Sequence, residues 1–476
     1  MNDEKTKQES LEFEREPVPK HARLGLKSFI GMYAGEHCAG TELMIGPLFV
    51  AAGVSAFDLI IGLLVGNALA VLSWMFITAP IATRVRLTLY YHLEQISGIK
   101  IVKLYNLANG VMFCFLAGAM VTVSTTAVGA WLNISMPGLN DLYPNSVGWV
   151  VVSLAVGVLI AIVAAYGYRI VAEFANIAAP WMVLVFLVFG IVGLKQFMDL
   201  PGMDIKSAGD LWALAQNHIW KGGAPLEGQV KFTFWHVMFF SWFCNIAMHM
   251  GMADLSIFRF AKKSWYGISS STGMYVGHFM AWISASILYS LQLVQDSSFT
   301  SVIPGLLANK AAGWAGLMCV IIAGWTTANP TIYRAGLAFQ AIVPKWSRFR
   351  VTFVTGLIAA VAGMFPAFAM KLLDFVALYG MLIMPMGAVI FVDFWLLKRA
   401  KLSPMYAQLT GSSFYMAPMI AWIVTLIVCF LLIKFAGIQI YFVSLPGWLF
   451  AGAFYFILSY LFQKHIHSVN VKQGIA

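Results

Sequence analysis

Residues 315–339 read AGLMCVIIAGWTTANPTIYRAGLAF, an apolar run that carries the polar string GWTTANP at 324–330. About 20 apolar residues cross a bilayer as a helix. Pro330 has no amide hydrogen, so the carbonyl of Thr326, four residues earlier, loses its helical partner. This carbonyl and the hydroxyls of Thr326 and Thr327 are oxygens of the kind that a small hard cation prefers. The stretch predicts either a cation site inside a membrane helix or a kink whose hydroxyls bond the helix's own carbonyls.

The composition of the whole chain is that of an integral membrane protein. Of its 476 residues, 60% are hydrophobic and only 11% are charged, whereas soluble domains carry about 25% charged residues. We predict an all-α polytopic protein with about twelve transmembrane helices and no soluble domain. The predicted helices lie near 27–53, 57–82, 103–131, 147–167, 170–196, 232–258, 266–293, 312–340, 351–366, 370–397, 414–436 and 441–463.

The net charge of +10 reflects membrane topology. With the N-terminus in the cytoplasm, seven of the 30 Lys and Arg residues fall on the outer side and the others on the inner side, as the positive-inside rule requires. We therefore expect a protein of the plasma (inner) membrane with both termini cytoplasmic, and a cytoplasmic tail at 1–26 whose first 20 residues are disordered. No nucleic-acid partner is expected, and the chain is expected to act as a monomer in the lipid bilayer.

One long connection, 197–231, divides the chain into five predicted helices before it and seven after it. Many secondary transporters consist of two inverted repeats, and the first helix of each repeat is broken near the middle of the membrane. On this plan the core occupies 27–398, with repeats at 27–196 and 232–398. Two extra helices and a short cytoplasmic tail then occupy 399–476.

The first helix of each predicted repeat is unusually polar. Because an ionisable group inside a membrane is costly, such a group marks a pathway or a site by default. Glu36 and His37 favour a functional interpretation, because they adjoin Gly35. Glu42 is compatible with a structural ion pair, whereas Asp254 lies near the cytoplasmic end and is expected to pair with a local Arg or Lys or to cap a helix. The polar residues of the two helices are Glu36, His37, Thr41, Glu42, Asn245, His249 and Asp254.

Three stretches resemble the purine/cytosine permease family, the first nucleobase:cation symporter family. They are GWTTANPTIYRAGLAFQAI (324–342), similar to its helix 8; ADLSIFRFAKK (253–263), similar to the end of its helix 6; and GVSAFDLIIGLLVGNALAVL (53–72), similar to its first hairpin. The first is the most specific. The resemblance covers nearly the whole chain and implies a LeuT-type fold, in which two inverted repeats of five helices are followed by two C-terminal helices. It also implies alternating-access symport of a nucleobase or related heterocycle with Na⁺ or H⁺.

The resemblance also implies where the cation and the substrate bind. Na⁺ would be held by the hydroxyls of Thr326 and Thr327 and by carbonyls of the broken first helix, around Ala34, His37 and Cys38. The substrate would lie alongside, with amides reading its ring edge and an aromatic side chain stacking on its face. The candidate substrate contacts are Glu36, His37, Thr41, Phe113, Trp242, Asn245, His249 and Asn329.

The match departs from the family pattern in three places. Ala328 follows the hydroxyl pair where the family has Asn, so Asn329 comes one residue late. Ser256 replaces the acidic residue of helix 6, with Asp254 two positions earlier. Helix 3 lacks the Trp and Gln that face substrate in some members, and the available substitutes are Asn106, Asn109, Phe113 and Phe115. These departures keep the cation assignment and favour a more polar or a charged ligand.

The sequence therefore predicts a Na⁺-coupled symporter for a purine, pyrimidine, hydantoin, allantoin or vitamin precursor, with no cofactor other than the coupling ion. The alternative is H⁺ coupling through Glu36, His37 or His249, since His titrates near neutral pH. An intramembrane enzyme is not expected, because the chain has no HExxH spacing, no paired aspartates and no nucleophile beside a base in a known motif. A receptor that binds without transport would be expected to carry a signalling domain, which the chain lacks.

Overall fold

The computed structural model describes residues 13–138, 141–203, 205–296, 303–370 and 372–472. Within these ranges the chain forms helices and contains no strand, apart from two isolated β-bridges. Eight helices are long and apolar enough to cross a membrane. The other four predicted segments correspond to helices that are broken or shorter. The chain is thus an all-α, multi-pass membrane protein, as the composition predicts.

The main helices are numbered in chain order. They are α1 (Lys27–His37), α2 (Glu42–Ala51), α3 (Ala56–Val85), α4 (Leu89–Ser97), α5 (Ile99–Leu132), α6 (Val147–Ala165), α7 (Tyr168–Met198), α8 (Ala208–Leu214), α9 (Phe234–Phe243), α10 (Leu255–Phe258), α11 (Met280–Gln295), α12 (Pro304–Ile342), α13 (Arg348–Ala362), α14 (Leu372–Val392), α15 (Met416–Ala436) and α16 (Ile440–Lys472). A π-helical turn, Thr272–Phe279, leads directly into α11.

The first predicted helix of each half is broken, as the sequence indicates. α1 ends at His37, the backbone leaves the helical region at Cys38, and α2 begins at Glu42. In the second half, α9 ends at Phe243 and the next helical turn, α10, begins only at Leu255. In the second break the backbone forms irregular turns, in which the Gly251 amide donates to the Ile246 carbonyl at 2.7 Å and the Ala253 amide to the Ala247 carbonyl at 3.0 Å.

Packing between the two halves follows an exchanged pattern. α2 of the first half packs on α11 of the second, and α9 of the second half packs on α3 of the first. Both contacts bring backbones close together at a glycine. A Cβ atom at Gly46 would lie 2.5 Å from the Trp282 carbonyl, and one at Gly66 would lie 2.5 Å from the Met238 carbonyl. The most extensive helix–helix contacts are those between α5 and α12, the third helices of the two halves, and between α6 and α13, the fourth helices.

Residues 13–26 pack against the end of the bundle at which α1 begins, called here the N-terminal end. Val18 is buried and its amide donates to the Arg86 carbonyl at 3.1 Å, while the Leu24 amide donates to the Phe260 carbonyl at 2.7 Å. Residues 1–12 lie outside the described ranges. The prediction of a disordered tail is therefore wrong for residues 13–20, because their backbone bonds and one buried side chain fix them to the helices.

The long connection folds back over the opposite end of the molecule. Its π-helical turn, Ala215–Ile219, is followed by Trp220, whose carbonyl accepts from the Ala56 amide at 3.0 Å. Further along, the amide of Leu226 donates to the Ala51 carbonyl at 2.8 Å. The connection therefore seals the end of α2 and forms, with residues 438–441, what is called here the loop end.

Candidate functional site

A cavity of about 580 Å³ lies beside the two helix breaks. Its volume is within the range of about 300–1,000 Å³ that small-molecule sites occupy. It extends from Thr327 and Thr331 on α12 to residues 228–230, Phe232 and residues 438–441 at the loop end. The polar side chains that line its deep part are Glu36, His37, Thr41, Glu42, Asn245, His278, Thr327 and Thr331.

The hydroxyl pair of α12 meets the break of the first helix. The Thr327 hydroxyl lies 3.0 Å from the Glu36 carbonyl and 2.9 Å from the Ala323 carbonyl. The Thr326 hydroxyl lies 3.0 Å from the same Ala323 carbonyl. Two hydroxyl and two carbonyl oxygens therefore gather between α1 and α12. The hydroxyls do bond their own helix, as in a plain kink, but Thr327 also reaches α1.

The helix continues through Pro330 as far as Ile342. The Thr331 hydroxyl donates to the Thr327 carbonyl at 2.8 Å, one turn back. The Ala34 carbonyl accepts the Cys38 amide at 3.0 Å and so closes the last turn of α1. Carbonyls around residues 34 to 38 were predicted as cation ligands. Among them, the Glu36 carbonyl is the one that contacts a hydroxyl of the pair.

Arg334, on α12, joins both broken helices in one ion-pair network. It is buried, and its Nη1 and Nη2 atoms lie 2.6 and 3.2 Å from the Glu36 carboxylate. Its Nη2 also lies 2.7 Å from Asp254 Oδ1. The second oxygen of Asp254 accepts from the Tyr33 hydroxyl at 2.5 Å and from the Trp74 indole at 2.8 Å. Every oxygen of the two carboxylates therefore has a partner.

This network corrects two expectations from the sequence. The positive-inside count places Arg334 among the Lys and Arg residues of the inner side, but its side chain is buried inside the bundle. Asp254 was expected to pair with a local basic residue or to cap a helix, but its partner is Arg334, 80 residues further along the chain. The signal was an arginine in a helix that otherwise spans the membrane, since such a cation requires intramembrane carboxylates.

A third carboxylate, that of Glu42 at the start of α2, contacts an aromatic pair. Its Oε2 accepts from the Trp282 indole, and its Oε1 lies 3.6 Å from His278 Nε2. The His278 ring stacks on Trp282 with centroids 4.3 Å apart, and the His37 ring lies 4.5 Å from that of His278. All four side chains line the cavity. His278 and Trp282 were not predicted, because the sequence alone does not show that their segment packs against Glu42.

Comparison with known proteins identifies the fold. The chain matches the structure of Mhp1, a nucleobase-cation-symport-1 family transporter, in a closed conformation with bromovinylhydantoin bound; the TM-score is 0.69 at 16% identity over 96% of this chain and 95% of that one. The chain has the fold of a nucleobase-cation-symport-1 transporter. This LeuT-type fold is the one that the sequence resemblance predicts.

Two further structures agree with this result. The substrate-bound, outward-open state of a Na⁺-coupled sialic acid symporter matches with a TM-score of 0.67 at 15% identity, over 96% of this chain and 93% of that one. The inward-facing conformation of Mhp1 matches with a TM-score of 0.59 at 16% identity, over 94% of this chain and 93% of that one. No protein-family model matches the chain, and no curated protein does.

In this nucleobase-cation-symport-1 fold, half of the predicted substrate contacts reach the cavity. Glu36, His37, Thr41 and Asn245 line it. The Asn245 amide nitrogen lies 3.1 Å from His37 Nε2, and His37 Nδ1 lies 2.9 Å from the Tyr33 carbonyl. The breaks of the two halves thus contact each other through an amide and an imidazole at the cavity wall.

The other four predicted substrate contacts lie outside the lining of the cavity. Phe113 packs behind Tyr379, with ring centroids 4.9 Å apart, and it is the Tyr379 ring that lines the cavity. Trp242 donates to the Ser73 hydroxyl at 3.0 Å. The Trp242 carbonyl lies 2.9 Å from Nε2 of His249, which is also outside the lining of the cavity.

Asn329 is the fourth of these residues. It is fully buried on α12, and neither polar atom of its side chain has a hydrogen-bond partner among the described residues. Asn329 is two positions beyond Thr327 along the helix, which turns it away from α1. In the sequence Asn329 comes one residue later than the Asn of the family pattern, and in the structure it lies outside the lining of the cavity.

Proposed function

We propose that this protein is a secondary active symporter that imports a small nitrogen heterocycle with Na⁺ by alternating access, across a plasma membrane and with both termini in the cytoplasm. The observation that carries the proposal is the 3.0 Å contact between the Thr327 hydroxyl and the Glu36 carbonyl. It connects the hydroxyl pair of α12 to the broken helix at a position that is also part of the cavity wall.

The oxygens around this contact have the chemistry of a Na⁺ site. The two hydroxyls of Thr326 and Thr327 and the carbonyls of Ala323 and Glu36 are hard, uncharged ligands. A hydroxyl rotates freely and has two lone pairs. An entering cation would replace the hydrogen bond from Thr327 to Glu36 and attract the lone pairs of both hydroxyls. Cation binding would then hold α1 to α12 through ligation instead of through that hydrogen bond.

Glu36 offers a physical route for coupling. Its carbonyl faces the hydroxyl pair, its carboxylate pairs with Arg334, and the residue lines the cavity. A cation that fixes the backbone at Glu36 therefore also fixes the wall that the substrate touches. Each ligand would reduce the conformational freedom that the other must restrict, which makes binding of the two cooperative.

The arrangement of the cavity supports a state that opens at the loop end. Residues 228–230, Phe232 and residues 438–441 line its mouth, whereas Arg334 and Asp254 close it toward the N-terminal end. Residues 13–26 cover that end further out. The chain also matches the closed and outward-open neighbours with TM-scores of 0.69 and 0.67, compared with 0.59 for the inward-facing one. Transport would require the pairs of Arg334 to separate.

The cavity wall supports a planar, nitrogen-containing substrate. Trp282, Tyr379 and Tyr441 are among its aromatic residues, and Asn245 supplies an amide that pairs with ring edges. Aromatic side chains stack on flat rings, and the amide fixes their orientation. Bromovinylhydantoin, bound in the Mhp1 structure, is such a molecule. The candidates are therefore nucleobases, hydantoins, allantoin and vitamin precursors.

The alternative is H⁺ coupling on the same fold. Of the residues that the sequence offers for it, Glu36 is ion-paired to Arg334 and His249 lies outside the cavity lining, which leaves His37. The structure adds Glu42 and His278, 3.6 Å apart and in contact with the cavity. These two groups are the ones to examine if transport follows a proton gradient.

The test is a thermal-shift screen of the purified full chain against purines, pyrimidines, hydantoins, allantoin and vitamin precursors, in NaCl and in KCl of equal ionic strength. Stabilisation rises with the ratio of ligand concentration to Kd, so a shift identifies the ligand. We expect one class of heterocycle to raise the Tm, and to raise it more in NaCl. An equal shift in both salts would contradict Na⁺ coupling, and no shift with any heterocycle would contradict the substrate class.

A further inference from the structure

The walls of the cavity carry negative but no positive side chains. Among the described residues that line it there are two carboxylates, Glu36 and Glu42, and no Lys or Arg. Glu36 is neutralised by Arg334, but Arg334 also pairs with Asp254. This group of three therefore contains two acids and one base. This group therefore has an excess of one formal negative charge, and the carboxylate of Glu42 is a further acid in the cavity wall.

Among the residues that the structure describes, Glu42 has no Lys or Arg partner. From α11 the Trp282 indole donates to its Oε2, and from the π-helical turn His278 lies 3.6 Å from its Oε1. On its own segment the Thr41 hydroxyl lies 3.5 Å from Oε1, and Cys244 faces it from the break after α9. Hydrogen bonds from one indole and one hydroxyl leave unused capacity on a carboxylate that can accept about four. Because Glu42 lines the cavity, this remaining capacity is available to a bound cargo.

A buried carboxylate without a counterion is unfavourable, because burial removes the water that would stabilise its charge. His278 can supply a positive charge only when protonated, and the ring of His37 lies 4.5 Å from it. A cationic group of the cargo would satisfy Glu42 directly. It would also face the aromatic rings of Trp282, Phe240 and Tyr441 in the cavity wall, which attract cations through their π-electrons.

We propose that the cargo carries a positively charged nitrogen group, such as an amidinium, a protonated amino group or a protonated ring nitrogen, and that Glu42 is its counterion. The inference rests on the proposed function and specifies its substrate class. It also separates this chain from the second structural neighbour. Sialic acid, which that symporter is named for, is an acid, and an anion would meet carboxylates and no lining Lys or Arg here.

The test uses three probes of nearly the same shape and different charge: benzamidine (cation), benzamide (neutral) and benzoate (anion). Thermal shifts of the purified full chain are measured over a concentration series of each probe in NaCl at neutral pH. Wild type is expected to bind benzamidine at least about tenfold more tightly than benzamide, because a charge-assisted hydrogen bond is the stronger one. Benzoate is expected to give no shift.

The Glu42→Gln variant keeps the shape of the side chain and removes its charge. It is expected to lose about tenfold in benzamidine affinity and to leave benzamide affinity unchanged. Glu173→Gln is the matched control, because Glu173 is an exposed carboxylate on α7 whose partner is Arg169. This control removes the same charge and is expected to bind all three probes as wild type does. Glu42→Asp, which retains the charge, is a second variant if Glu42→Gln fails to fold.

Three results would overturn the inference: no shift with benzamidine, equal or tighter binding of benzamide or benzoate, or unchanged benzamidine binding by Glu42→Gln. The response to Na⁺ without any probe is measured in parallel. Because Glu42→Gln leaves the hydroxyl pair intact, the Na⁺ response of this variant should persist. A Na⁺ response without preference for the cationic probe would contradict the inference and would be consistent with the proposed symporter. A preference for benzamidine without a Na⁺ response would contradict Na⁺ coupling and would be consistent with the inference.

Discussion

Arg334 on α12 holds Glu36 on α1 by two nitrogen–oxygen contacts of 2.6 and 3.2 Å, and both side chains are buried. The same guanidinium holds Asp254 beyond the break of the other half. One cation of the third helix in the second repeat thus fixes both broken helices.

Replacing Arg334 by Gln is expected to lower the free energy of unfolding by about 3–5 kcal/mol, since two buried carboxylates lose their partner. Neutralising the carboxylates as well, with Glu36→Gln and Asp254→Asn in the same chain, is expected to restore most of that loss. Thermal unfolding of the purified variants measures both effects. Arg169→Gln is the control, because its pair with Glu173 is exposed and surface pairs contribute about 0–1 kcal/mol. A triple variant no more stable than Arg334→Gln would contradict the account.

The covering of the N-terminal end by residues 13–26 predicts a protease result. Val18→Asp places a charge at a site that is 1% exposed, which is expected to detach the segment. Trypsin should then cleave at Lys20 and Arg23 much faster than in wild type, since cleavage of a transiently opened segment follows the population of the open form. Glu16→Gln, at an exposed position of the same segment, should leave the cleavage rate unchanged. Equal rates in Val18→Asp and wild type would show that the segment is not held by this contact.

The close approach of α2 to α11 and of α9 to α3 predicts a matched pair of effects. A methyl group at Gly46 or at Gly66 would lie 2.5 Å from a backbone carbonyl of the other half. Gly46→Ala and Gly66→Ala are each expected to destabilise by about 1–3 kcal/mol through overpacking. Gly148→Ala serves as the control, because its nearest contact would be an ordinary 3.6 Å. It should be neutral or slightly stabilising, since Ala favours a helix more than Gly does. Similar thermal shifts for all three would contradict the packing.

The two asparagines of the site are expected to differ in substrate binding. Asn245→Ala removes an amide from the cavity wall and its 3.1 Å contact with His37. It should weaken the binding of whichever heterocycle the screen identifies by about tenfold, the cost of one or two hydrogen bonds. Asn329→Ala should leave that affinity unchanged, because Asn329 lies outside the lining. Calorimetric titration measures both, and a larger loss for Asn329→Ala would reassign the site.

Much of this fold was predictable, because hydrophobic length and glycine or proline placement act locally. Apolar runs located the membrane segments, and the polar residues in the first helix of each predicted repeat located the two breaks. Thr326 and Thr327 were recognised from their string, and the structure brings Thr327 to α1. What remained hidden depends on contacts between residues far apart in the chain.

The partner of Asp254 is the clearest case, because nothing near residue 254 points to Arg334. The same applies to His278 and Trp282, which come next to Glu42 only once α11 packs on α2. Phe113 illustrates the opposite error. This aromatic residue of α5 was expected to contact the substrate, but it packs against Tyr379 of α14, which lines the cavity instead. Side-chain direction around a helix depends on packing that a single sequence does not specify.

Na⁺-driven uptake into proteoliposomes tests the central claim most directly, with the heterocycle that the thermal screen identifies and with wild type, Thr327→Ala and Thr425→Ala compared. Thr425 is a buried helical threonine whose hydroxyl bonds the Ala421 carbonyl at 2.7 Å, so its replacement loses the same local bond far from α1. Wild type and Thr425→Ala should accumulate substrate when a Na⁺ gradient is imposed and not when K⁺ replaces Na⁺. Thr327→Ala should lose this Na⁺ dependence. Uptake that is equally fast without Na⁺, or that keeps its full Na⁺ dependence in Thr327→Ala, would contradict the account.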